Sequence, residues 1–168
     1  MTHLMSSFSL FAAKGCAITR ADMKTLQDIV AAPGIRPKVV GDCAQLIDDE
    51  VKRKSGLSGL AIKGAYGLVK AIKPGIIKDS IEHLLDGFVA QLEPYYVRAQ
   101  EKSEKLGAVL VREPAPVADA LLHFTDQKAE RADNATMRKA YSKLRPTAKD
   151  HVQQAVPGLA AVLDKYVA

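Results

Sequence analysis

The chain has no tryptophan and few rings of any kind, with aromatics at 5% of its 168 residues. A sheet protein of this size leans on aromatic and β-branched side chains for its pleated faces, so the composition points away from one. Cysteine is equally scarce. Cys16 and Cys43 stand alone, without the paired spacing of a zinc or redox motif, and such sparse use suits free thiols in a reducing compartment. No apolar run approaches the ~20 residues that a transmembrane helix needs. The opening stretch SSFSLFAAKGCA is apolar, but Lys14 interrupts it and no lysine or arginine precedes it, so a secretory signal is not expected. Cytoplasmic localisation is the corresponding expectation.

Catalytic and cofactor motifs are also missing. Gly56-Leu57-Ser58-Gly59 lacks the GxSxG spacing of a nucleophile elbow, and Gly64 is followed by Ala65 rather than by the Lys-Ser or Lys-Thr of a phosphate-binding loop. His3, His83, His123 and His151 are scattered. No cofactor is predicted, and the leading expectation is a protein that is not an enzyme.

What is present is a 48% hydrophobic, 26% charged chain of the right length for one globular domain. Glycine and proline punctuate it roughly every ten to twenty residues, between segments of helical period. The expected fold is all-α: a single compact bundle of seven or eight short helices over residues 19–168, behind a loosely held extension at 1–18. Thr19 with Asp22 marks a first helix start, carried by Met23, Leu26, Ile29 and Val30 to the stop at Pro33-Gly34. Pro37 suits the first turn of a second helix, which Gly56 ends.

The centre of the bundle is expected to be an antiparallel helical hairpin over residues 57–93, folded at Lys73-Pro74-Gly75. At 100° per residue, Leu57, Ala61, Ile62, Ala65, Leu68, Val69 and Ile72 fall in an arc of roughly 140°, read as its core face, with Ser58 as N-cap. The second arm places Ile77, Ile81, Leu84, Leu85, Phe88, Val89 and Leu92 on one face. Pro94 is expected to kink or restart that helix. Residues 107–111 are the one place where a strand is conceivable, but a lone strand has no partner, so a short buried helical piece is expected. A helix from Pro114 follows, whose core face is Val117, Ala120, Leu121 and Phe124, with Leu122 at its margin. Three further short helices are expected, starting near Ala135, Pro146 and Pro157.

Charge is patchy. Residues 57–78 hold four lysines and no acid, 79–96 four acids and no lysine or arginine, and 135–149 five basic residues and no acid, so the net +5 sits in local blocks. In the first block Gly59, Lys63, Gly67 and Lys70 recur one helical turn apart beside Ser58, which suggests a face where an anionic surface or another backbone comes close. The glycines equally suit tight packing against a neighbouring helix, with the lysines reaching round it. The second block, Arg138, Lys139, Tyr141, Lys143 and Arg145, mixes cations with a ring as nucleic-acid binders do, yet no nucleic-acid-binding signature accompanies it. Asp79-x3-His83-x2-Asp86 recurs as Asp119-x3-His123-x2-Asp126, but both sets fall opposite the apolar stripes, and no metal site is predicted from them.

The stretches LSGLAIKGAYGLVKAIKPGIIKDSIEHLLDGFVAQLEPYY and VADALLHFTDQKAERADNATMRKAYSKLRPTAKDHVQQAVPGL resemble a family of small all-helical bacterial proteins with no assigned function, over residues 36–166. The resemblance implies a bacterial cytoplasmic helical protein and carries over no catalytic residue. The expected function is therefore binding, through the lysine-glycine face, of an anionic membrane surface, an acidic protein or a second copy of the chain. A nucleic-acid-binding role is the alternative, and a small enzyme the remote one.

Overall fold

The computed structural model describes residues 24–167. They form seven helices: α1 (Leu26–Ala31), α2 (Arg36–Arg53), α3 (Gly56–Lys70), α4 (Ile76–Glu101), α5 (Leu106–Arg112), α6 (Pro114–Glu130) and α7 (Ala135–Val167). No strand occurs among the described residues, and none of these helices is long and apolar enough to cross a membrane. The expected extension at 1–18 and the helix start at Thr19 and Asp22 lie outside them.

Local signals fix most boundaries. α1 opens on a reciprocal cap six residues later than Thr19: the Thr25 hydroxyl accepts from the Asp28 amide at 3.0 Å, and the Thr25 amide donates back to the Asp28 carboxylate at 3.0 Å. Pro37 sits in the first turn of α2, where a missing N–H costs nothing, and Lys52 and Arg53 lie at its carbonyl end. α5 has no cap of its own. Asp164 of α7 supplies one across the bundle, its Oδ1 accepting from the Gly107 amide at 2.8 Å.

Prolines behave differently from the expectation. Pro94 lies inside α4, which runs unbroken through Tyr95, Tyr96 and Ala99, and all three of those are buried. Pro146 and Pro157 lie inside α7, a single helix of 33 residues where three short ones were expected. An interior proline removes one hydrogen bond and costs about 3 kcal/mol, so packing has to offset it. α7 does so by lying against α6, α5, α3 and α2 and burying Ala140, Val156, Ala160, Val162 and Leu163. All three prolines are exposed, on the side where a freed carbonyl meets water.

The core runs from α1 through α7, with Leu26, Val30, Val39, Val89, Leu106, Leu110, Val117 and Val156 almost completely shielded. Each such side chain contributes about 1.5–3 kcal/mol through burial. On α6 the buried set is Val117, Ala118 and Leu122, while Ala120, Leu121 and Phe124 are half-buried. α6 is clasped by α4 on one side and α7 on the other, which turns Leu122 from the margin into the core. Gly87 lets α6 come close to α4: a Cβ there would lie 1.9 Å from the Phe124 ring, which stands edge-on to Phe88 at 5.5 Å.

Candidate functional site

α3 is rotated from its expected setting. Its buried residues are Gly59, Ile62 and Ala65, with Tyr66, Val69 and Ile72 beside them, so the inward arc is turned roughly 60° from the one the apolar pattern suggested. Leu57 and Leu68, placed in the core by their spacing, are 88% and 48% exposed, and Leu60 is 67% exposed. Five large apolar side chains stand exposed among the described residues, and three of them are these leucines. With Ala61, Gly64, Gly67 and Ala71, also exposed, they form a continuous apolar stripe about 120° wide on the solvent side of the helix. The physical reason is simple. α3 is apolar around nearly its whole circumference, so hydrophobicity does not choose its buried face.

Two specific contacts choose it. A Cβ on Gly59 would stand 2.7 Å from the Lys54 carbonyl carbon, so this glycine has to face the tight α2–α3 turn. The Tyr66 hydroxyl donates to Asp48 of α2 at 2.6 Å and turns that side of α3 inward. Burial, then the carboxylate beside it, pushes the Tyr66 hydroxyl pKa up, and the Tyr66 hydrogen bond, ahead of Lys70, holds Asp48 below the usual carboxylate range.

The row Gly59, Lys63, Gly67, Lys70 therefore divides. Gly59 is buried and its amide donates within the helix, to Ser55 at 3.3 Å, so it offers nothing to an anion. Ser58 is not the cap. Ser55 holds that position, without a side-chain hydrogen bond, and Ser58 is exposed in the first turn. Lys70 pairs with Asp48 at 3.5 Å and lies 5.2 Å above the Tyr66 ring, so part of its charge is compensated. Lys63 is exposed and meets no carboxylate among the described residues. Gly64 and Gly67 have open space where a Cβ would point. The surviving face is an apolar stripe of leucines and glycines edged by Lys63 and Lys70.

The second basic block is largely committed inside the molecule. Arg145 holds Asp126 through two hydrogen bonds of 2.6 and 2.8 Å, and the Tyr141 hydroxyl donates to the same carboxylate at 2.6 Å, tying α7 to α6. Arg138 donates to the Ala132 carbonyl of the preceding loop. Lys139 and Lys143 are left exposed to solvent.

A family of unknown function, DUF6918, matches the chain over residues 26–167. The chain belongs to that family. The DUF6918 region begins where α1 begins and ends where α7 ends, so the family unit and the seven-helix bundle are the same object. No curated protein and no solved structure matches the chain.

In this DUF6918 chain three of the recurring acids, Asp86, Asp119 and Asp126, tie helices together, while Asp79 and the two histidines make local contacts. Asp79 pairs with Lys73 at 2.5 Å, Asp86 with Arg36 at 2.6 Å, Asp119 with Lys149 at 2.8 Å and Asp126 with Arg145. His83 contacts the Asp79 carbonyl and His123 the Gln127 amide. Asp86 and Asp126 are held below the usual carboxylate range chiefly by their arginines. Among the described residues no group of three potential ligands is arranged to hold a metal ion.

Proposed function

We propose that this protein is a non-enzymatic, cytoplasmic binding module that docks on anionic membrane surfaces through the exposed face of α3. The observation that carries the reading is the exposure of Leu57, Leu60 and Leu68 in one stripe, bordered by Lys63 and Lys70 and free of acid over residues 57–78. An interfacial helix works this way: its apolar side chains enter the headgroup boundary while flanking lysines meet lipid phosphate. Each lysine near an anionic surface contributes about 1 kcal/mol. Gly64 and Gly67 leave no side chain between the leucines and so keep the stripe flush with the surface it meets. The nucleic-acid reading loses support from the same geometry, because Tyr141 and Arg145 are engaged with Asp126.

Co-sedimentation with phosphatidylcholine vesicles, with and without phosphatidylserine, tests the proposal. Binding is expected with the anionic vesicles, weakening by at least about thirtyfold for Lys63→Glu/Lys70→Glu, because two lost lysine contributions alone amount to that and the new carboxylates add repulsion. Leu57→Ser/Leu60→Ser should abolish binding while leaving stability within about 0.5 kcal/mol, as for other exposed positions. Equal binding to both vesicle types, or unchanged binding by the leucine variant, contradicts it. Loss of a dimer on substituting the leucines, without vesicle binding, would instead assign the face to a second copy of the chain.

A further inference from the structure

A second feature stands apart from the α3 stripe. Where the start of α4, the end of α6 and the start of α7 converge, they leave a cleft of about 330 Å³. Small-molecule sites span about 300–1,000 Å³, so this one is of a size for a single slim ligand. Its half-buried walls are mainly apolar, formed by Ile76, Leu84, Ala129, Ala132 and Met137, with Ser80, Thr125 and Tyr141 set among them. Its exposed rim is cationic, carrying Lys73, Lys128 and Arg138 beside His83, with the half-buried Asp79 as the one carboxylate.

The rim charges are unevenly spent. Asp79 is taken by Lys73 at 2.5 Å. Lys128 lies 5.4 Å above the Phe124 ring and Arg138 donates to the Ala132 carbonyl, and among the described residues the structure pairs neither with a carboxylate. Two positive charges thus stand over an apolar slot. A neutral apolar ligand would leave both without a counter-charge, and a small hydrophilic anion would leave the walls unfilled. The complementary shape is one alkyl chain with an anionic head.

We infer that this α4–α6–α7 cleft binds a single-chain anionic amphiphile, a long-chain carboxylate being its simplest form, with the chain against Ile76, Leu84 and Met137 and the head between Lys128 and Arg138. The inference is independent of the α3 stripe, which lies on a different helix and uses different lysines.

Calorimetric titration of the protein with dodecanoate, kept below its micelle concentration, tests it. One molecule should bind per chain, and affinity across octanoate, decanoate and dodecanoate should rise by about fourfold per added methylene until the cleft is full. Dodecanol should bind about tenfold more weakly than dodecanoate, as should dodecanoate to the exposed-site variant Lys128→Glu/Arg138→Glu. Leu57→Ser/Leu60→Ser should titrate like the parent protein. Dodecanol binding as tightly as dodecanoate, the absence of saturable binding, or loss of binding in the Leu57→Ser/Leu60→Ser variant would overturn the assignment, the last by moving the ligand to α3. The dodecanol comparison needs no variant, so a failure of Lys128→Glu/Arg138→Glu to fold does not rescue the idea.

Discussion

His151 carries the sharpest expectation at the scale of single residues. Both of its ring nitrogens are out of contact with water and without a hydrogen-bond partner, and burial, reinforced by Lys54, pushes its pKa below the ordinary 6.5. The neighbouring Asp150 opposes that shift without reversing it. Above pH 6.5 the imidazole is neutral in folded and unfolded chains alike. As pH falls through 6.5, the unfolded chain takes up a proton that the folded one refuses, so stability declines until the lowered folded value is reached. Urea denaturation from pH 7 to pH 5 should show this slope, and His151→Leu should flatten it; an unchanged slope would place the titrating group elsewhere. Asp126 acts in a lower window. Its folded pKa is depressed, so its contribution is present above the usual carboxylate range and disappears as pH falls through the folded value. Asp126→Ala leaves Tyr141 and Arg145 without their acceptor and should cost about 1–2 kcal/mol at pH 7. Cys43 is predicted to alkylate slowly at pH 8, followed by mass spectrometry of its peptide, because burial ahead of Asp42 raises its thiol to about 11.

Glycines separate packing from openness at the scale of helices. Gly87→Ala drives a methyl into the Phe124 ring, and the overpacking outweighs a helix-propensity gain of about 1 kcal/mol, so a net loss of about 1–2 kcal/mol is expected by chemical denaturation. Gly64→Ala meets nothing and should stabilise by about 0.5–1 kcal/mol. A gain at Gly87 or a loss at Gly64 would mean that α4 or α3 sits differently. Helix limits were legible in the sequence where the signal is local, as at Pro37, Gly56 and Pro114. They were not legible at Pro94, Pro146 and Pro157, since a proline's penalty is read from one position while its compensation comes from Tyr95 and Tyr96 in the core and from the neighbours of α7. The face of α3 was illegible for a related reason: its wheel is apolar all round, and the contacts that orient it, Gly59 on Lys54 and Tyr66 on Asp48, join segments whose closeness no spacing reveals.

On the scale of the whole molecule, ion pairs between helices use up much of the charge. Arg36 with Glu82 and Asp86, Arg98 with Glu113, Arg145 with Asp126 and Lys165 with Asp42 join neighbouring elements and leave far fewer unpaired cations at the surface than the 24 lysines and arginines of the sequence suggest. Charge runs along the sequence therefore overstate the basic patches, and the block at 135–149 is the clearer case. Lys63 escapes this pairing and stands beside the exposed leucines, the combination on which the proposed docking through α3 rests. The missing tryptophan makes that face directly measurable, because Leu60→Trp places the only indole of the protein on the exposed stripe. On addition of phosphatidylserine-containing vesicles its emission should shift to the blue and be quenched by bromine-labelled acyl chains, with no change on pure phosphatidylcholine. An indole that keeps its water-exposed emission in the presence of anionic vesicles would contradict docking through α3.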